Sequence, residues 1–213
     1  MPDIATFIQQ FAIMAIPVLS AITFHEVAHG YTAHLLGDPT AKNAGRLTLN
    51  PIKHLDPVGA IALFLVKIGW AKPVPINASY FANPRQGLIL VSVAGPVTNF
   101  VLAVVFALLY HLLAALLYTS IGASALPVLK PLIYMCQAGV LINIGLGVFN
   151  LLPVPPLDGS NILAGILPPH LAQAFLRHST YGFIILIVLL ISGGAQKVIL
   201  PIIYGMGGFL VPL

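Results

Sequence analysis

Charged residues are scarce in this sequence: they make up 7% of its 213 residues, against about 25% in soluble domains. Apolar residues make up 59% and the mean hydropathy is +1.00, so a soluble fold would have almost no polar surface. We therefore expect an integral membrane protein in contact with a lipid bilayer. With so few charges, we expect the excess of basic residues behind the net charge of +4 to orient the protein in the bilayer and not to bind nucleic acid. No nucleic-acid partner is predicted.

Cysteine is almost absent as well. Cys136 is the only one, so no disulfide can form within the chain and no zinc site can be built from cysteines. The N-terminus lacks a basic region ahead of its first apolar stretch, and a cleavable signal peptide is therefore not expected. The sequence shows no internal repeat, and we expect one integral membrane domain over residues 1–213.

A membrane-spanning helix needs about 20 apolar residues, and several stretches are long enough. The predicted spans are Ile4–Leu36, Leu88–Tyr118, Leu132–Leu152 and Tyr181–Val211. Prolines and glycines are expected to modify three of them: Pro17 kinks the first, Pro96 separates an entry segment from the second, and Ser192-Gly193-Gly194 with Pro201 interrupts the last.

Other stretches do not fit a span. Val58–Val66 is too short to cross and is interpreted as re-entrant or interfacial, and Lys72–Asn77 is interpreted as extended strand or loop. The predicted fold class is thus an all-α polytopic membrane protein. It has about four membrane-crossing helical segments plus a re-entrant or β-like membrane-associated stretch.

The chain contains one glutamate, and it lies between two histidines in His25-Glu26-Val27-Ala28-His29. Residues four apart lie on one face of a helix, so His25 and His29 can direct their imidazoles at a single point. This is the H-E-x-x-H zinc signature, with two histidine ligands and a carboxylate free to act as general base.

Charge placement predicts which side of the membrane this motif faces. Six of the nine basic residues fall within Gly37–Gly87, and none precedes position 42. We expect that segment to be cytoplasmic and the N-terminus to be outside. The Leu132–Leu152 span then returns the chain to the cytoplasm, so Pro153–Gly159 arrives at the same membrane depth as the zinc signature.

A catalytic zinc takes three protein ligands and a water, so one ligand is still needed. His34 is nine residues after His25 and would face the opposite side of a continuous helix. Asp158 arrives at the right depth and is the better candidate, although Asp158-Gly159 is also typical of a turn and helix N-cap. Four other histidines lack ligand spacing and are interpreted as interfacial or packing residues: His54, His111, His170 and His178.

The combination of HEVAHG with Asn150-Leu-Leu-Pro-Val-Pro-Pro-Leu-Asp158-Gly159 resembles the site-2 protease family of intramembrane zinc metalloproteases (peptidase family M50). Gly95-Pro96-Val97-Thr98-Asn99 is similar to that family's middle helix, and Gly45-Arg-Leu-Thr-Leu-Asn-Pro51 is also similar to the family. The chain lacks room for the PDZ domain or CBS pair of larger members. The resemblance implies a compact, prokaryotic member in the plasma membrane.

The resemblance also implies a mechanism and a set of site residues. His25, His29 and Asp158 would bind one Zn²⁺ per chain, and Glu26 would activate its water to cleave single-span membrane-protein substrates near the cytoplasmic face. Asn150 matches a family position for substrate binding or oxyanion stabilisation, with hydrogen bonding between helices or capping of a carbonyl at the end of a span as the alternative. For Asn99, hydrogen bonding between helices is the preferred interpretation.

Two other classes of function stay open at the level of sequence. Intramembrane charges also mark ion paths, so a membrane transporter or metal-handling protein is the alternative. A purely structural protein is the third, but burying Glu26 without a partner would be costly. A transporter would need neither an open coordination position nor a glutamate beside its ligands.

Overall fold

The structure, a computed structural model, describes residues 4–66, 69–119 and 122–212. These residues form no β-strand, and their one isolated bridge joins Leu55 to Ala71. Their α-helices are α1 (Ile4–Leu35), α2 (Thr40–Asn43), α3 (Pro57–Val66), α4 (Pro84–Leu116), α5 (Gly122–Asn150), α6 (Asp158–Ile166), α7 (Pro169–Arg177), α8 (Ser179–Ile191) and α9 (Gly194–Leu210).

In the described part of the chain, three helices are long and apolar enough to cross a membrane. They are α1 over Gln10–Leu35, α4 over its whole length and α5 over Ser124–Asn150. The pair α7 and α8, bent by 63° at its break, counts as a fourth span if it crosses as one unit. The predicted all-α polytopic membrane fold is confirmed.

Prolines interrupt these helices less than the sequence suggested. Helix α4 continues through Pro96, so the expected break there is wrong. Helix α5 begins at Gly122, about three turns ahead of the predicted start at Leu132, and includes Pro127 and Pro131. Membrane helices tolerate proline because neighbouring helices satisfy the freed backbone carbonyls.

The last predicted span, Tyr181–Val211, is divided between two helices. Helix α8 ends at Ile191, and Gly193 adopts a left-handed conformation with φ +74° before α9 begins. The interruption predicted at Ser192-Gly193-Gly194 is therefore present. Pro201, by contrast, lies inside α9. The short stretch predicted at Val58–Val66 is α3, ten residues long, and a helix of that length covers only about 15 Å.

Helix α4 is the centre of the bundle. It packs against α1, α5 and α6, and α5 in turn packs against α1 and α9. The buried core between α4 and α5 contains Ala103, Ala107, Val140 and Ile144. Small residues such as the two alanines allow helix backbones to approach closely. The N-terminal half of α4 lies against the zinc signature of α1.

The chain between α1 and α4 contains residues 72–77, which belong to no helix or sheet and are called the extended segment below. Asn77, at the end of this segment, has an extended backbone with φ −123° and ψ 99°. The far end of the segment is held by Asp38, which is fully buried just after α1. One carboxylate oxygen of Asp38 accepts the Asn77 backbone N–H at 2.7 Å, and the other accepts the Thr40 backbone N–H at 2.8 Å and its hydroxyl. The carboxylate thus joins the end of α1 to the extended segment.

These donors change the acidity of Asp38. Burial would raise the pKa of its carboxyl, but the N–H of Asn77 and the two donors of Thr40 outweigh burial and hold the pKa below the ordinary value. The folded structure therefore stabilises the ionised form of the Asp38 carboxyl more than the unfolded chain does.

Replacing Asp38 tests this connection. In Asp38→Asn an amide N–H would face backbone donors, so we expect a loss of about 1–3 kcal/mol of stability at neutral pH. Because the folded pKa is depressed, the wild-type advantage is full above the ordinary aspartate pKa of about 3.9 and fades as pH falls through the lower folded pKa. Thermal unfolding of both proteins in detergent, from neutral to strongly acidic pH, measures it. A difference that grew on acidification would contradict this account.

Candidate metal centre

Three side chains from two helices converge on one point. His25 and His29 lie one turn apart on α1, and Asp158 is the first residue of α6. The Nε2 atoms of the two histidines are 3.0 Å apart, and Asp158 Oδ2 lies 3.2 Å from that of His25 and 3.3 Å from that of His29. These residues form a group of potential metal ligands whose ligand atoms all lie within 4.8 Å of one another.

The triangle has the dimensions that zinc requires. Nitrogen and oxygen ligands at about 2.0–2.1 Å from a tetrahedral ion are about 3.3 Å from each other. Asp158 Oδ2 is buried and has no hydrogen-bond partner among the described residues. An oxygen in that state, beside two imidazole nitrogens, fits a cation at the centre of the triangle. Three protein ligands leave a fourth coordination position open, as in catalytic zinc sites.

Hydrogen bonds behind the histidines fix which nitrogen faces the centre. His29 Nδ1 lies 2.7 Å from the Val91 carbonyl oxygen, which can only accept, so Nδ1 carries the hydrogen. His25 Nδ1 lies 2.6 Å from Asn99 Oδ1. In the neutral imidazoles, both Nε2 lone pairs therefore point into the triangle, which is the tautomer that binds metal.

Asn99 is held in turn by a buried polar network. Its amide nitrogen donates to the Ala21 carbonyl at 3.1 Å and to Asn143 Oδ1 at 3.0 Å, which leaves its oxygen for His25. Asn143 donates to the Gly139 carbonyl within α5. The sequence interpretation of Asn99 as a link between helices is therefore incomplete, because one end of the link is His25 itself. Asn143 was missed, although an asparagine in the middle of a predicted span is a signal of buried polar contacts.

Gly95 allows α4 to lie against the two imidazoles. A Cβ atom there would be 2.5 Å from His29 Nε2 and 2.6 Å from His25 Cε1. Such contacts are far below van der Waals distance, so any larger residue would displace the histidines. The sequence singled out Gly95 only as part of a resemblance, and no periodicity or spacing reveals this close approach.

The electrostatics of Asp158 suit a metal ligand. Burial would raise the pKa of its carboxyl, but in the absence of metal, imidazoles that carry a second proton and present an N–H to Oδ2 outweigh burial and lower the pKa below the ordinary aspartate value. The group is therefore ionised at neutral pH, the form in which a carboxylate binds metal. Its position at the first residue of α6 adds the favourable field of a helix N-terminus.

Glu26 is half-buried and lies outside the triangle, as expected for a residue that does not bind the metal. Its Oε2 accepts a hydrogen bond of 2.9 Å from the backbone N–H of Val74, in the extended segment. This contact holds one carboxylate oxygen against the extended segment, next to the two histidines that flank Glu26 in sequence.

The remaining sequence candidates lie elsewhere. Helix α1 runs unbroken to Leu35, and His34 is not in the metal-ligand group of the described residues. Asn150, at the end of α5, donates from its side-chain amide to the Leu146 carbonyl of its own helix. Three of the other histidines bond to backbone carbonyls: His54 to Thr48, His111 to Leu210 and His178 to Ala174.

Comparison with known proteins gives a consistent set of matches. The sequence model of Peptidase family M50 matches residues 13–192. "Putative zinc metalloprotease YwhC" of Bacillus subtilis is 40% identical over 190 residues, which cover 89% of this chain and 85% of that protein. "Putative zinc metalloprotease Rip2" of Mycolicibacterium smegmatis is 29% identical over 208 residues, covering 93% and 74%.

A more distant match comes from an archaeon. "Zinc metalloprotease MJ0392" of Methanocaldococcus jannaschii is 27% identical over 157 residues, which cover 74% of this chain and 35% of that protein. No solved structure matches this chain.

The close approach at Gly95 gives a test of the metal centre. We expect Gly95→Ala to weaken zinc binding on the order of 10-fold or more, because the added methyl group displaces both imidazoles. The matched control is Gly205→Ala in α9, where nothing lies within 4 Å of the added Cβ. Zinc retained per chain during titration with a chelator measures the effect. Equal retention in the two variants would mean that the imidazoles do not need the space.

Proposed function

The chain belongs to peptidase family M50, and on that premise we propose that this zinc metalloprotease cleaves other membrane proteins within or near their transmembrane segments. Its substrates would be single-span membrane proteins, cut in regulated intramembrane proteolysis. The observation that carries the proposal is the position of the ligand triangle. Two of its three members lie on α1, a helix long and apolar enough to span the bilayer, and α1 is packed against two more such helices.

Within this proposal, each residue of the centre has a distinct role. His25, His29 and Asp158 hold one Zn²⁺, with the Nδ1–H bonds to Asn99 and Val91 fixing the two imidazoles. Zinc, when bound, supplies Lewis acidity that makes water a nucleophile at neutral pH. Glu26 takes the proton of that water and returns it to the leaving amine.

The substrate requires a place to unwind, since a helix hides its carbonyls in its own hydrogen bonds. We propose that the extended segment, residues 72–77, receives the unwound stretch by strand addition. The segment alternates, with Val74 buried and Pro73 and Pro75 exposed, and Val74 bonds to Glu26. A strand paired along it would therefore pass beside the general base.

Asn150 is proposed to contact substrate or the developing oxyanion. Its bond to Leu146 uses one N–H of the amide and leaves a second N–H for a carbonyl oxygen. It ends α5 eight positions before Asp158, on the same connection that brings Asp158 to the site.

The multi-pass protein is proposed to lie in a prokaryotic plasma membrane with its N-terminus outside. Lysines and arginines are concentrated between α1 and the start of α4, and cytoplasmic loops are enriched in these residues. Since the zinc signature lies in the last three turns of α1, the site would be close to the cytoplasmic face.

The catalytic role of Glu26 has a direct test. Glu26→Gln is nearly isosteric but cannot accept the water's proton, so we expect zinc to be retained and cleavage to be abolished. The assay is incubation of the purified protein in detergent with a set of single-span substrates, with and without a zinc chelator. Substantial proteolysis by Glu26→Gln, or by chelated wild-type protein, would refute the proposed chemistry.

The third ligand is tested by a pair of variants. Asp158→Ala should lose zinc and activity together, because two histidines alone leave the ion under-coordinated. His34→Ala is the matched control and should keep both, since His34 lies outside the ligand group. Metal analysis beside the cleavage assay separates the outcomes. Stoichiometric zinc and normal turnover in Asp158→Ala would return Asp158 to a turn-and-cap role.

A further inference from the structure

Arg46 is a buried arginine in the loop between α1 and α4, and the proposed mechanism gives it no role. Its residue is 6% exposed. The ion pairs among the described residues are those of Asp158 with His25 and His29, so no carboxylate pairs with this guanidinium directly. A buried charge without a counter-ion is costly, and its retention calls for a compensating interaction.

The compensation comes from backbone carbonyls of the extended segment. Nη2 of the Arg46 guanidinium donates to the Lys72 carbonyl at 2.6 Å, and Nη1 donates to the Pro73 carbonyl at 3.1 Å. Gly45, in a left-handed conformation with φ +64°, makes the turn that directs Arg46 inward. The guanidinium therefore fixes two successive peptide groups of the segment.

The second of these peptide groups is also the one that touches Glu26. The carbonyl of Pro73 and the N–H of Val74 belong to the same planar peptide unit. Arg46 donates to its oxygen, and its N–H donates to Glu26 Oε2 at 2.9 Å. One peptide group thus lies between a cation and an anion, which polarise it in the same direction and strengthen both hydrogen bonds.

We propose that Arg46 is a positioning residue for Glu26, acting through the Pro73–Val74 peptide group. Arg46 fixes that peptide plane, and the plane fixes the carboxylate of the general base against the open coordination position. The inference rests on the proposed role of Glu26. It predicts that Arg46 affects turnover without contributing to metal binding, since its hydrogen bonds reach none of the three ligand residues.

The test compares Arg46→Gln with Lys42→Gln, which removes an exposed positive charge from the same loop. We expect Arg46→Gln to keep about one zinc per chain and to lower kcat on the order of 10- to 100-fold with a smaller change in KM. Lys42→Gln should match wild-type protein. Arg46→Lys keeps the charge and one donor, and its kcat should lie between those of wild type and Arg46→Gln.

A second readout does not depend on activity. Pro73 and Pro75 have no amide hydrogen, so a proteolytic fragment from Lys72 to Pro75 holds one backbone amide hydrogen, that of Val74. Hydrogen exchange at Val74 should be faster on the order of 10-fold in both Arg46→Gln and Glu26→Gln, and unchanged in Lys42→Gln.

The outcomes separate this inference from the proposed function. Proteolysis by Glu26→Gln would refute the role of the base. An inactive Glu26→Gln beside an Arg46→Gln with wild-type kcat and Val74 exchange would overturn the inference alone. If Arg46→Gln does not fold, Arg46→Lys decides: intermediate kcat and faster Val74 exchange support positioning, and wild-type values for both show a merely structural charge.

Discussion

Hydrocarbon offers a polar group no partner, and the metal centre depends on this constraint. The Nδ1 atoms of the two imidazoles are therefore satisfied from within the bundle. Val91 and Asn99 on α4 accept the Nδ1 hydrogens, and Asn143 on α5 completes the environment of Asn99. The network links α1, α4 and α5. The tautomers of the two histidines therefore depend on how the three long helices pack.

The polar network also depends on the close packing of α1 against α4. The hydrogen bond from Asn99 to the Ala21 carbonyl reaches the backbone of α1, and it can form only where the two helices are close. Gly95, one turn earlier on α4, removes the side chain that would hold them apart. The hydrogen bond from the Asn99 side chain to the α1 backbone is thus accompanied by a small residue four positions earlier on α4.

The sequence predicts the parts of this protein that depend on composition and spacing. Low charge and long apolar stretches predict the polytopic fold, and the spacing of His25 and His29 predicts one helical face. Charge placement predicts that Asp158 lies at the same membrane depth as the zinc signature. In the structure, Asp158 Oδ2 is 3.2 Å from His25 Nε2. Contacts between distant segments leave no such signal. Nothing in the sequence shows that Val91 would accept from His29, or that α4 would continue through Pro96, because both depend on the neighbouring helices.

The extended segment has two prolines, and several of its backbone polar groups are satisfied without a neighbouring strand. Pro73 and Pro75 have no N–H, so the edge of the segment that they face cannot complete a hydrogen-bond ladder, and the segment is unsuited to the interior of a sheet. The proposed strand addition would use the opposite edge. Val74, between them, directs its one N–H to Glu26. Arg46 and Asp38 bind three more backbone groups of the segment, the carbonyls of Lys72 and Pro73 and the N–H of Asn77. Charged side chains thus satisfy backbone groups that neighbouring strands would satisfy in a sheet.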